Sequence, residues 1–152
     1  MESTFASGSS PRPEYGLGAI RTLARIVPYL VVRDRYRALQ NESLPLPDTG
    51  PLCLETGAGL CGAQAQVFVD LVRGLGYRAR QWGIVFSSPL PSGDETHVLA
   101  EVDCDGRWHT FDLSFGGYVA KRPFEIDGSE VGFGYMAREH ISHVLVLENQ
   151  EA

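Results

Sequence analysis

Cysteine is scarce in this chain. There are three in 152 residues, Cys53, Cys61 and Cys104, an odd number with no Cys-x-x-Cys spacing. That argues against a disulfide framework and for a reducing compartment. Basic residues are also few, 13 Lys and Arg against 19 Asp and Glu, for a net charge of -6. A phosphate-backbone partner needs Lys and Arg gathered on one face, so no nucleic acid is expected. The densest basic stretch, Arg21, Arg25, Arg33, Arg35 and Arg37, is interrupted by Asp34 and apolar residues and reads as the wet face of helices. No apolar run approaches a membrane span, and the opening MESTFASGSS has neither a basic start nor an apolar block. Neither a membrane segment nor a secretory signal is therefore expected, and the chain reads as cytoplasmic.

What is present is a composition of 43% hydrophobic and 21% charged residues, enough for one soluble domain with a core of its own. Residues 1–13, rich in Ser, Gly and Pro, read as a flexible tail, and 14–152 as a single domain. Leu17, Ile20, Leu23, Ala24, Val27 and Val31 recur at helical spacing, with Pro28 either breaking the run or opening a second helix from Tyr29 to Leu39. Between Asn41 and Gly59, the residues Pro45, Pro47, Asp48, Gly50 and Pro51 predict an irregular loop. Beyond Cys61, Ala65, Phe68, Val69, Val72 and Leu75 form a stripe, with Val67 and Leu71 adding apolar surface elsewhere, which predicts a deeply buried helix ending at Gly74 or Gly76. Strands are predicted at Arg78–Phe86, His97–Val102, Trp108–Leu113 and His143–Leu147. Helices followed by a run of strands make an α+β pattern.

Cys61 is the most informative residue. It closes the run Gly57-Ala58-Gly59-Leu60 at the start of the buried helix, where the positive end of the helix dipole lowers a thiol's pKa. His97 and Asp112 follow on two strands joined by Asp103-Cys104-Asp105-Gly106, a strong hairpin signal. If Asp105-Gly106 is a two-residue turn, Leu99 faces Asp112 and His97 lies one diagonal step away. If all four residues form the loop, His97 faces Asp112 directly. Both registers put the two side chains on one sheet face, within ~4.5 to 8 Å at Cβ. Provided that the N-terminus of the Cys61 helix packs against that face, the three residues form a nucleophile, a base and an orienting carboxylate. Backbone amides at the helix start would then bind an oxyanion.

The run GAGLCGAQAQVFVDLVRGLGYRAR (57–80), with THVLAEVDCDGRW (96–108) and FDLS (111–114), resembles the transglutaminase-like superfamily of papain-like thiol enzymes. The shared positions are Cys61, Ala65, Leu75-Gly76, Ala79-Arg80, His97, Glu101-Val102, Gly106, Trp108 and Asp112. The resemblance implies a papain-like core, with the Cys helix packed on an antiparallel sheet that carries the His and Asp. It also implies acyl transfer through a thioester without a cofactor. The donor would be an amide, ester or thioester, with a peptide and a carrier-bound intermediate among the partners this allows, and the acceptor an amine or water. Gly59, Gln64, Phe115 and Tyr118 are the candidates for substrate or oxyanion contact. THVLAEV with DLSFGGY (112–118) also resembles arylamine N-acetyltransferases, which take an acyl thioester donor, although Ala63 stands where those enzymes carry an acid. A module of the same fold that binds a peptide or protein without catalysis is the remaining alternative.

Other signals have plainer readings. Cys53 and Cys104 read as buried or surface thiols without a chemical role. His140-x-x-His143 lacks further ligands at a recognisable zinc spacing. Arg80 reads as a structural ion-pair residue.

Overall fold

The computed structural model describes residues 16–89, 93, 95–114, 117–126 and 138–147. The proposed tail at 1–13 and the candidate Phe115 lie outside them. Four helices come first, α1 (Gly16–Leu30), α2 (Arg33–Asn41), α3 (Gly50–Thr56) and α4 (Cys61–Gly74). Five strands follow, β1 (Arg78–Phe86), β2 (Thr96–Cys104), β3 (Arg107–Asp112), β4 (Gly117–Val119) and β5 (Ile141–Val146). They form one antiparallel sheet in the order β4-β3-β2-β1-β5, so the fold is α+β, consistent with a transglutaminase-like core.

Helix α4 is buried because its stripe Ala65, Phe68, Val69 and Val72 is fully covered by the sheet and by Ile20, Ala24 and Val27 of α1. Phe68 meets Phe111 of β3 at 5.2 Å between ring centroids. Each such side chain contributes about 1.5–3 kcal/mol by leaving water. In β2 the residues Ala100 and Val102 join this helix-facing core, whereas Leu99 joins a second cluster with Trp82, Ile84, Val119 and Ile126. The two central strands are therefore buried on both faces, and their sequences lack the clean alternation of a half-exposed strand.

The irregular loop expected between Asn41 and Gly59 is corrected by α3. Its breaking residues turn out to be helix punctuation. Thr49 is the N-cap, its hydroxyl accepting from Leu52 N–H at 3.3 Å; Pro51 sits in the first turn, where a missing N–H costs nothing; Gly57, at φ 70°, is the left-handed residue that ends the helix. Pro28 neither breaks α1 nor opens a helix. It lies near the C-terminus of α1, and the break comes later, at Val31 and Val32.

That break positions the site. Val32 N–H donates to Gly57 O at 2.9 Å, and Gly59 N–H donates to Val32 O at 3.3 Å, strapping the approach to Cys61 onto the junction between α1 and α2. Gln64 adds a side-chain bond from Nε2 to Val31 O at 2.9 Å.

On the second face, fully buried Glu101 accepts from Trp82 Nε1 at 2.8 Å, Arg80 Nε at 3.0 Å and Arg122 Nε at 2.6 Å. Two guanidiniums and an indole N–H thus compensate one carboxylate, as a buried charge requires. Arg80 is the ion-pair residue that the sequence suggested. Its guanidinium also stacks 4.2 Å over the Trp108 ring.

Candidate active site

The turn between β2 and β3 resolves the two hairpin registers. Asp105 (φ 57°) and Gly106 (φ 77°) are both left-handed, the signature of a two-residue turn, and Cys104 pairs with Arg107. The ladder runs back to Ala100 opposite Phe111, which sets Asp112 against Leu99 and one diagonal step from His97. Diagonal spacing is closed by the length of the histidine side chain. His97 Nε2 lies 3.1 Å from both carboxylate oxygens of Asp112, and both residues are 2% exposed. A carboxylate only accepts, so Nε2 carries the proton and donates it, which leaves Nδ1 for a second partner.

That partner is Cys61, whose thiol shares a hydrogen bond with the His97 ring. The approach differs from the simple stacking expected. By strand alternation His97 and Asp112 lie on the face away from α4, whose body covers Ala100 and Val102. Contact is made past the end of β3. That strand pairs with β2 only from Ala100 onward, leaving the flank of Thr96–Val98 without a strand among the described residues. The first residue of α4 occupies this opening, and Val98 N–H donates to its sulfur.

The electrostatics follow from these contacts. Burial pushes the Cys61 thiol up, and the charge of Asp112 adds to that. The hydrogen bond and charge of His97, with the Val98 amide, outweigh both and bring the thiol below its ordinary 9.0. Burial pushes His97 down, but hydrogen bonds to Asp112 and Cys61 and the charges of both raise it to about 10. Both shifts favour the thiolate–imidazolium form of the pair over the neutral one. The other thiols go the opposite way. Burial raises Cys53, helped by the charge of Asp48, and burial with the charge of Asp105 raises Cys104 to about 11.

The remaining candidates are dispersed. Gly59 is buried on the approach to Cys61, its N–H already given to Val32. A Cβ there would stand 2.5 Å from Val31 Cγ1 and 2.8 Å from Ala63 Cβ. Gly59→Ala should consequently lower stability by about 1–3 kcal/mol, the range for overpacking, read as a fall in the thermal midpoint; an unchanged midpoint would show that the loop yields freely. Gln64 is buried one turn into α4 and tied to Val31. Tyr118 pairs with Phe111 and so lies on the helix-covered face, opposite to Asp112, with its hydroxyl 2.9 Å from His109 Nδ1 and Arg21 over its ring.

The family model for the transglutaminase-like superfamily matches residues 18–113. The chain belongs to the transglutaminase-like superfamily. The matched segment of this transglutaminase-like chain runs from α1 to the residue after Asp112, so it spans the strap, the Cys61 helix and the His97–Asp112 hairpin. No match to a curated protein was found. Among the described residues, no group of three or more His, Cys, Asp and Glu side chains is placed to hold a metal ion, and no helix is long and apolar enough to cross a membrane.

Near the site lies a groove that reading for motifs missed. It has a volume of about 880 Å³ and is lined by residues of α3 and α4 and by Leu60, Gly62 and Val98, neighbours of Cys61, but not by Cys61, His97 or Asp112 themselves. Its walls come from Asp48, Pro51 and Cys53 in and before α3, residues assigned in sequence to a loop.

Proposed function

We propose that this protein is a cysteine-dependent acyl-transfer enzyme working through a Cys61 thioester, with His97 as acid and base and Asp112 as the group that orients it. The observation that carries the reading is the hydrogen-bonded line from the partly buried Cys61 through His97 to a buried Asp112. The Cys61 thiolate attacks the carbonyl carbon of an amide, ester or thioester, and the electron pair moves to the carbonyl oxygen. The amides of the first turn of α4, which have no acceptor within the helix, face the developing oxyanion. Imidazolium Nδ1–H then protonates the leaving group as the tetrahedral intermediate collapses to a thioester. In the second half, water or an amine gives a proton to Nδ1 and attacks the thioester, releasing the Cys61 thiolate. Throughout, Nε2–H stays on the Asp112 carboxylate, which stabilises the imidazolium.

Intact-mass spectrometry on the protein quenched after mixing with activated amide, ester and thioester donors tests the reading. The expected result is a mass gain of one acyl group that disappears in Cys61→Ala. Acylation that persists in Cys61→Ala, or none with any donor class, would refute it.

A further inference from the structure

Two buried hydroxyls flank Asp112 in the chain, and neither has a hydrogen-bond partner among the described residues: Thr110 Oγ1 and Ser114 Oγ. An unpaired buried hydroxyl is a cost to folding, so each calls for a physical reason. Thr110 stands two residues before Asp112 on the same face of β3, directly across the ladder from Glu101. It belongs to the Glu101 end of that face. Ser114 belongs to the triad. Its N–H donates to Asp112 Oδ1 at 3.1 Å, and its neighbour Leu113 is fully buried in the helix-facing core, so the backbone that carries the hydroxyl is anchored on both sides of the sheet. Ser114 Oγ is three bonds from that nitrogen. A turn about χ1 carries it toward the oxygen that the N–H already holds.

We infer that Ser114 is a positioning residue acting through Asp112: its hydroxyl swings onto the Asp112 carboxylate when His97 gives up its positive charge, and off again when the imidazolium re-forms. No covalent bond changes and Ser114 keeps its proton; one hydrogen bond is made and broken. While His97 is imidazolium, Asp112 faces a full positive charge. Once Nδ1–H has gone to the leaving group, the same carboxylate, 2% exposed, keeps its negative charge against a neutral ring. A buried carboxylate so placed draws a donor that can rotate to it. The hydroxyl therefore stabilises the neutral-imidazole stage more than the imidazolium stage and makes His97 the readier proton donor. Other charges on this face are already engaged. Glu101 is held by Arg80 and Arg122, Asp103 by Arg78, and exposed Glu125 accepts from Arg122 N–H. Opposite His97 on β1 stands Ile84, opposite Asp112 on β4 stands Gly117, and α4 presents Cys61.

The inference rests on the proposed function for the step it assists, yet its main test needs no turnover. Iodoacetamide alkylation of Cys61 is followed against pH, by mass spectrometry of the Cys61 peptide, in wild type, Ser114→Ala, Ser114→Thr and Thr110→Val. Without the hydroxyl, Asp112 depends more on the imidazolium, so His97 holds its proton more tightly and the thiol that it lowers ionises at lower pH. The alkylation midpoint of Ser114→Ala should fall by about half a pH unit, while Ser114→Thr and Thr110→Val keep the wild-type midpoint. Single-turnover acylation of Ser114→Ala should slow about twofold on an amide relative to a thioester of the same acyl group, since the amine leaving group is the one that needs the proton. Because the hydroxyl is unpaired, Ser114→Ala should melt no lower than wild type. An alkylation midpoint that stays or rises in Ser114→Ala overturns the inference. So does an equal fall in Thr110→Val or Ser114→Thr, which would trace the effect to something other than this hydroxyl. An unmoved midpoint with acylation intact defeats this inference alone; a lowered midpoint with no acylation by any donor supports it and defeats the proposed function alone.

Discussion

In His97→Ala, alkylation of Cys61 by iodoacetamide should slow by roughly tenfold or more at pH 7, and the midpoint of its pH profile should move from below 9 to above it. Two opposed influences act on this thiol, and the substitution deletes only one. Burial raises the pKa and survives the change, whereas the His97 hydrogen bond and charge that overcome burial are lost. The sign is therefore fixed. Each unit of rise costs tenfold in thiolate fraction but returns about threefold in intrinsic nucleophilicity, so the observed rate falls by about threefold per unit. Wild-type protein should reach its alkylation plateau at a lower pH than the variant, because its thiol ionises below the ordinary 9.0. A rate in His97→Ala that matches wild type at pH 7 would mean that the helix start alone activates the sulfur. Turnover on an acyl donor should suffer more, by on the order of 10²–10⁴-fold, because the leaving group also loses its proton donor.

The candidate triad was legible in the sequence because its geometry is set by short-range rules. A two-residue turn and a period of two put His97 and Asp112 on one face before any fold was known, and Cys61 announced itself by glycines and a helix start. The pairing of β2 with β3 is one of the two registers the turn allowed, and the bounds of β1 are those predicted. Illegible were features decided by contacts far apart in the chain. The strap from Val32 to Gly57 and Gly59 joins segments some 25 residues apart, and nothing local in Val31-Val32 marks it. Helix α3 was hidden because Pro and Gly punctuate loops and helix ends alike, and a seven-residue helix offers too little periodicity to separate the two. The groove was missed as a consequence, since one of its walls is α3. The entry of Cys61 past the end of β3 depends on where that strand stops pairing, a property of the sheet as a whole.

Replacing Asp112 by asparagine should be at least as damaging as replacing it by alanine, although asparagine nearly preserves the shape. Ser114 N–H donates to Asp112 Oδ1 at 3.1 Å, while His97 Nε2 is shared between Oδ1 and Oδ2. In Asp112→Asn the backbone amide of Ser114 holds the side-chain oxygen, so the NH₂ group takes the place of Oδ2 and points at Nε2. A donor there requires Nε2 to accept, which puts the imidazole proton on Nδ1, facing the sulfur. That tautomer cannot take the thiol proton. It also withdraws the hydrogen bond that does most to raise His97 against the effect of burial, so the imidazolium that stabilises the thiolate is lost. Acyl-donor turnover should fall by on the order of 10²–10⁴-fold in Asp112→Asn. In Asp112→Ala the ring is unguided but free to place its proton on Nε2, and a fraction of molecules keeps a competent base. The measurement is single-turnover acylation of both variants across pH 6 to 9, with thermal midpoints confirming that each is folded. Activity in Asp112→Asn close to wild type would show that a hydrogen-bonding partner of the right shape suffices and that neither the charge of Asp112 nor the tautomer it selects matters.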